Sequence, residues 1–276
     1  MSLEVNDLTI AFGDQVVVDH IGFEVPDGAR VGIIGQSGSG KSLTTLAVLG
    51  LTPRSARVTG SIRWNGRELV GLADKVLAGI RGRTIGTVFQ DPMTALDPVR
   101  TIGKQVTDAL RNHYDLSKAE LRERAIRALD QVKLEDPESF LGRYPHQLSG
   151  GQRQRIAIAQ ALIAGPRLIL ADEPTTALDV TVQAGVLQVF NELVTGLGSS
   201  LLFVTHDISL LPLVAEQALV MEAGRIVERG PVHQLIDRPQ DPVTVGLIEA
   251  ALATAWVDGP GEGERAPSGT GAEVRV

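Results

Sequence analysis

Three short groups of residues in this 276-residue chain have the types and spacing to do chemistry. The first, Gly35-Gln36-Ser37-Gly38-Ser39-Gly40-Lys41-Ser42, fits the pattern G-x-x-x-x-G-K-[ST]. Its glycines let the backbone fold tightly enough to aim several N–H groups at one chain of phosphates, and a helix starting at the end of the run adds the positive end of its dipole. Lys41 then reaches the β- and γ-phosphates as a point charge, and the Ser42 hydroxyl is placed to ligate Mg²⁺. The second group closes an apolar run, Arg167-Leu168-Ile169-Leu170-Ala171, with Asp172 and Glu173. The carboxyl end of a parallel strand is where an α/β sheet places its ligand chemistry, so Asp172 is the natural holder of Mg²⁺ and Glu173 can polarise a water for attack on the γ-phosphate. The third, Leu148-Ser149-Gly150-Gly151-Gln152, sets a hydroxyl and two glycines at the start of a helical pattern, which makes a second anion site. One nucleotide does not need two such sites in one subunit, so the second is expected to serve a nucleotide bound to another.

These groups need a scaffold to bring them together. Val31 to Ile34 reads as a buried strand before the phosphate loop, and Leu43 to Leu49 as the helix after it. Upstream, Leu3 to Ile10 and Val16 to Val25 read as a hairpin around Phe12-Gly13-Asp14-Gln15; downstream, Val58 to Gly66 is a short strand with a turn, and Thr84 to Gln90 is extended. From Asp91 to about Gly165 the apolar period changes from two to roughly 3.6, which predicts an inserted helical subdomain. Ile102, Val106 and Leu110 share one helical face there. Ser117 and Glu120 form a capping box ahead of a stripe of Leu121, Ala125, Ala128, Leu129 and Val132, and a helix beginning at Ser149 stops at Gly165-Pro166. Strand signals return at Arg167 to Ala171 and Leu201 to Thr205 with a helix over Val182 to Val194 between them, and a closing hairpin spans Ala218 to Met221 and Arg225 to Arg229. Short apolar strands alternating with helices predict an α/β fold with a mostly parallel sheet covered on both faces.

Composition agrees with an ordinary globular chain: 43% hydrophobic, 21% charged and a net charge of -7, which argues against broad contact with nucleic-acid phosphates. There is no cysteine, which excludes disulfides, thiolate metal sites and cysteine nucleophiles. Nothing reaches the apolar length that spans a bilayer; Pro242 to Val257 comes closest and is interrupted by Glu249. Gly- and Pro-rich residues 258–276 read as a disordered tail, leaving 1–257 as one nucleotide-binding domain with its helical subdomain at about 91–165.

With Leu148 to Gln152 beside the phosphate loop, the chain resembles the ATP-binding subunits of ABC transporters over about Leu3 to Ala251. The resemblance implies a P-loop NTPase (RecA-like) core with an N-terminal antiparallel β subdomain and the inserted helical subdomain. It also implies Gln90 as a residue contacting Mg²⁺ and water, Asp179 in a loop facing the second subunit, His206 near the γ-phosphate, and Phe12 as the aromatic on which adenine stacks. A head-to-tail pair sandwiching two ATP would combine the phosphate loop, Glu173 and His206 of one subunit with Ser149 and Gly151 of the other.

Gln90-Asp91-Pro92-Met93-Thr94-Ala95-Leu96-Asp97-Pro98 and Thr175 to Gln183 are similar to the oligopeptide, dipeptide and nickel importer branch, where the first stretch faces the membrane subunit. That implies a cassette on the cytoplasmic face of the cell membrane, with two permease subunits, a second and different ATP-binding subunit, and an extracytoplasmic solute-binding protein as partners, and no nucleic acid. The branch's usual His-Pro-Tyr-Thr is Asp241-Pro242-Val243-Thr244 here, and the cysteines that some members use for an iron–sulfur cluster are missing, so no cluster is expected. Peptide import is the leading expectation. A nickel or metal-chelate importer, a soluble non-transport ABC ATPase and a nucleotide-dependent assembly module are the alternatives.

Overall fold

The computed structural model describes residues 1–90, 95–175 and 179–257. The expectations that fell on Asp91 to Thr94, on Thr176 to Leu178 and on the tail at 258–276 lie outside the described residues.

In chain order the elements are β1 Leu3–Phe12, β2 Gln15–Val25, β3 Arg30–Gly35, α1 Lys41–Leu49, β4 Ala56–Trp64, β5 Arg67–Glu68, α2 Asp74–Ala78 and β6 Ile85–Val88. Then come α3 Ile102–Val106, α4 Asp108–His113, α5 Lys118–Gln131, α6 Pro137–Phe140, α7 Gly150–Leu162, β7 Leu168–Asp172, α8 Val180–Leu197 and β8 Ser200–Thr205. The chain continues through α9 Leu211–Val214, β9 Gln217–Glu222, β10 Arg225–Pro231, α10 Val232–Asp237 and α11 Pro242–Val257.

They form two sheets. The antiparallel sheet has the order β2-β1-β4-β5 and holds the expected hairpin, turned at Gly13-Asp14. The larger sheet runs β10-β9-β3-β8-β7-β6, parallel throughout except for β10, which pairs antiparallel to β9. β3, β7 and β8 read as near-continuous apolar runs because both of their faces are covered. One face packs on the antiparallel sheet and α1 through Leu3, Val5, Ile10, Ile33, Val48, Leu170 and Val204. The other packs under the helical region through Ile102, Val106, Leu129, Ile156, Ile169, Phe190 and Phe203. A third cluster, with Ile34, Ile208, Val220 and Leu235, joins β3 and β9 to the C-terminal helices.

Two elements differ from expectation. The face of Ile102, Val106 and Leu110 is fully buried as predicted, but its helix is broken between α3 and α4 at Thr107, whose hydroxyl donates to the carbonyls of Gly103 and Lys104 and competes with the helical ladder. Pro242 to Val257, noted in sequence only as too short to span a bilayer, is the sixteen-residue helix α11. Among the described residues no helix is long and apolar enough to cross a membrane.

Candidate functional site: a phosphate cleft at the carboxyl edge of the parallel sheet

β6, β7, β8 and β3 lie side by side and parallel, so the residues that follow their carboxyl ends share one edge. Gln90 follows β6, Glu173 follows β7, His206 follows β8, and the phosphate loop follows β3. Side chains from all four line one cleft of about 630 Å³, in which Gln36, Ser37, Gly38, Gly40, Lys41, Ser42, Gln90, Glu173 and His206 meet. Strand order, not proximity in sequence, brings them together.

The loop is built for close approach of backbone to backbone. A Cβ on Gly35 would sit 2.1 Å from the carbonyl oxygen of Met221, so only glycine can end β3 against β9 here. Gly40, at φ 99°, is the N-cap of α1 and offers no side chain to the first-turn N–H groups, which leaves them available to an anion. Ser39 lies below the surface with its hydroxyl unpartnered. Lys41 is 4% exposed, and among the described residues its ammonium donates to the carbonyls of Gly35 and Gln36 alone, each at 2.8 Å. Burial lowers the Lys41 pKa, against the smaller raising influence of Glu173 and Asp172.

The acidic side has the opposite imbalance. Asp172 accepts a hydrogen bond from the Ser42 hydroxyl at 3.0 Å, yet burial holds its carboxyl above the usual range, opposed by that bond and reinforced by neighbouring Glu173. A buried ammonium facing carbonyls and a buried carboxylate facing another carboxylate are both relieved by a ligand that brings an anion to one and a cation to the other. Among the described residues no three His, Cys, Asp or Glu side chains cluster to hold a metal ion unaided, whereas the hydroxyl and carboxylate oxygens of Ser42 and Asp172 suit a hard cation that takes its remaining ligands from phosphate and water.

Glu173 adopts φ 44°, the left-handed region that costs a non-glycine residue roughly 1–3 kcal/mol. Its N–H still donates to Val204, and its side chain is turned into the cleft, where Oε2 accepts from the Gln90 amide at 3.0 Å and lies 3.1 Å from His206 Nδ1. Gln90 and His206 thus fix the orientation of one carboxylate from two neighbouring strands.

The remaining predicted residues are placed elsewhere. Ser149 caps α7: its hydroxyl accepts from Gln152 N–H at 3.3 Å, and Gln152 Oε1 accepts from Ser149 N–H at 3.0 Å. Gly151 packs so closely on α8 that an added Cβ would meet Val182 at 2.8 Å, and Asp179 caps α8 by accepting from Val182 N–H at 3.0 Å. Ser149, Gly150, Gly151, Gln152 and Asp179 are absent from the walls of the cleft. So is Phe12, which sits half-buried at the end of β1 opposite Gln15 and Ala56, while Val17 of β2 lines the cleft. Leu43 and Leu247 also line it without having been predicted. Leu43 follows the motif directly and was within reach of the sequence; Leu247, about two hundred residues away on α11, carries no motif.

A family model described as ABC transporter matches residues 18–176. The oligopeptide transport ATP-binding protein OppD of Salmonella typhimurium is 42% identical over 252 residues, covering 90% of this chain and 75% of that protein. Its namesake from Mycobacterium tuberculosis is 46% identical over 270 residues, of which the match spans 94% of this chain and 44% of the longer relative. Among solved structures, the ATP-binding cassette MJ0796, in a dimeric post-hydrolysis state bound to ADP and Pi, is 31% identical with a TM-score of 0.73 over 83% of this chain and 98% of that one. A phosphate loop, an acidic pair and a strand-end histidine on a parallel sheet agree with these likenesses, and the chain belongs to the ABC transporter family as one of its ATP-binding, ATP-hydrolysing subunits.

Proposed function

We propose that this subunit powers the import of oligopeptides or dipeptides, acting at the cytoplasmic face of the cell membrane through two permease subunits and supplied by an extracytoplasmic solute-binding protein. Relatives named as oligopeptide transport and peptide import ATP-binding proteins, at 41% to 46% identity, support the cargo. A groove of about 380 Å³ beside the Gln90 segment supports the permease contact: Leu49, Leu51, Phe89, Ala109 and Ala157 make an apolar floor, with Arg81 and His113 among its polar members. Leu51 and Phe89 are 41% and 38% exposed there, which suits the apolar face of a short helix.

The observation that carries the hydrolytic reading is the paired hold on Glu173 by Gln90 and His206 in the same cleft as Lys41. The Gly35, Gln36, Ser37, Gly38, Ser39 and Gly40 backbone cradles the phosphate chain, and Lys41 neutralises its β- and γ-oxygens. Ser42, Asp172 and Gln90 hold Mg²⁺, which when bound supplies the charge that stabilises the transferring phosphoryl group. Glu173 accepts the proton of the attacking water while Gln90 and His206 keep its carboxylate aimed. Adenine, at the far end of the nucleotide, is assigned to Phe12 at the hairpin tip.

Ser149, Gly150, Gly151, Gln152 and Asp179 are assigned to the nucleotide of a second, different ATP-binding subunit, and the fact that none of them lines this chain's own cleft supports that division. Glu173→Gln tests the chemistry: ATP binding stays within about twofold of wild type and turnover falls on the order of a hundredfold or more, because the isosteric amide keeps the shape and loses the base. Turnover at the wild-type rate removes Glu173 from the mechanism. Co-purification with two permeases and peptide-stimulated ATPase activity test the cargo.

A further inference from the structure

α11 begins well beyond the 18–176 region matched by the family model, yet it reaches the catalytic edge. Its inner residues Val243, Leu247 and Ile248 pack on the cluster that contains Ile34 and Ile208. Ile34 directly precedes Gly35 of the phosphate loop, and Ile208 stands two residues after His206. The linkage from Ile208 back to the histidine is short and stiff. Asp207 donates its N–H to the Thr205 hydroxyl at 3.0 Å, and its carboxylate accepts from the Ser209 N–H and hydroxyl at 2.9 and 2.6 Å, so the turn Ile208–Leu210 is tied to the end of β8. α11 packs against that turn.

The helix is itself fixed at its start. Glu228 of β10 accepts from Gln240 N–H at 2.9 Å and Asp241 N–H at 3.1 Å, and from the hydroxyl of Thr244, a residue with no exposed surface. Within the packed face, Leu247 alone of the named residues also lines the phosphate cleft that His206 lines. Val243, one turn earlier, packs on the cluster and stays out of the cleft.

We propose that Leu247 is a positioning residue for hydrolysis: carried by the C-terminal helix, it buttresses the His206 segment and so fixes the imidazole against Glu173. The inference rests on the reading of this cleft as the hydrolytic site. Its physical basis is that a catalytic group displaced by about 1 Å costs up to a hundredfold in rate, while nucleotide affinity, set by the phosphate loop, is untouched.

The test uses the full chain in complex with its permease and reads ATP turnover, KM for ATP and thermal midpoint for Leu247→Ala, Leu247→Met, Val243→Ala, His206→Ala and the His206→Ala/Leu247→Ala double variant. Leu247→Ala is expected to lower kcat about tenfold with KM within about twofold, and Leu247→Met to restore most of it. Val243→Ala, losing a comparable amount of packing, is expected to lower the thermal midpoint similarly with kcat unchanged. In the double variant Leu247→Ala is expected to add nothing to the loss caused by His206→Ala, since a residue acting through another is non-additive with it. Equal kcat losses in Leu247→Ala and Val243→Ala, or additive losses in the double variant, overturn the proposal. If His206→Ala keeps wild-type turnover, the hydrolytic reading itself fails; if His206→Ala is impaired and Leu247→Ala is not, only the positioning role fails.

Discussion

Two helices of this protein begin in glycine-rich sequence that can bind an anion, and they are finished differently. α1 starts from Gly40, has no side-chain cap, and opens into a cleft with a buried ammonium beside it. α7 starts from Ser149 and is closed by its own capping box with Gln152, so its hydroxyl and the third-position N–H already have partners. The first leaves its first-turn N–H groups without a side-chain cap, and the second is capped by its own side chains.

The largest effect that separates the two termini is expected from Lys41→Ala. Removing the ammonium strips the phosphate chain of its one buried cation from this loop, and ATP affinity measured by titration falls on the order of a hundredfold, about 3 kcal/mol. The folded chain tolerates the change, because burial penalises the charged amine more than the nearby Glu173 and Asp172 carboxylates favour it. A thermal midpoint that rises or stays level while affinity collapses fits a preformed site; a fall in both makes Lys41 a structural residue.

Ser149→Ala is expected to do the converse. ATP affinity of the separate chain stays within about twofold, since Ser149 does not line its cleft, and stability falls by about 1 kcal/mol through loss of the cap. In the assembled transporter, turnover falls by about tenfold, the signature of a group that contacts nucleotide across a subunit boundary. Unchanged turnover in the assembly makes the capping box the whole purpose of Ser149 and ends the comparison.

The phosphate loop was legible because its chemistry is local: eight consecutive residues determine backbone shape, charge and helix start together. Asp172 and Glu173 were legible because an apolar strand must end at the sheet edge, whereas His206 was named only through the family resemblance, and the structure then sets its strand next to theirs. What failed to show was set by tertiary packing. Val17 lines the cleft only because β2 passes the loop, with the Val17 carbonyl oxygen 3.1 Å from where a Cβ on Gly40 would be. The left-handed backbone of Glu173 is held from outside by the Val204 carbonyl. α11 is apolar around most of its circumference, Val245 and Leu252 remaining exposed while Thr244 is buried, so periodicity named neither its inner face nor the cleft residue on it. The interruption at Thr107 depended on a hydroxyl choosing carbonyls one turn back, which a stripe of apolar positions does not reveal.

The smallest expected effect compares α7 with α5, which carries the same kind of box made from Ser117 and Glu120. The Ser117 hydroxyl, and next its N–H, hold the Glu120 carboxyl below its usual range, whereas Gln152 in the equivalent position of α7 carries no charge to titrate. A carboxyl with a lowered folded pKa contributes stability that is fully present above its unfolded value and is lost as pH falls through the folded one. Lowering the pH from about 6 to about 3 is therefore expected to weaken hydrogen-exchange protection at the start of α5, after correction for intrinsic exchange, and to leave the start of α7 unchanged. Glu120→Gln should make the two termini behave alike across that range. Equal loosening of α5 and α7 in the wild-type chain would mean that acid acts on the helical region as a whole, and that the closed state of the Ser149 terminus owes its stability to surrounding packing and not to its own box.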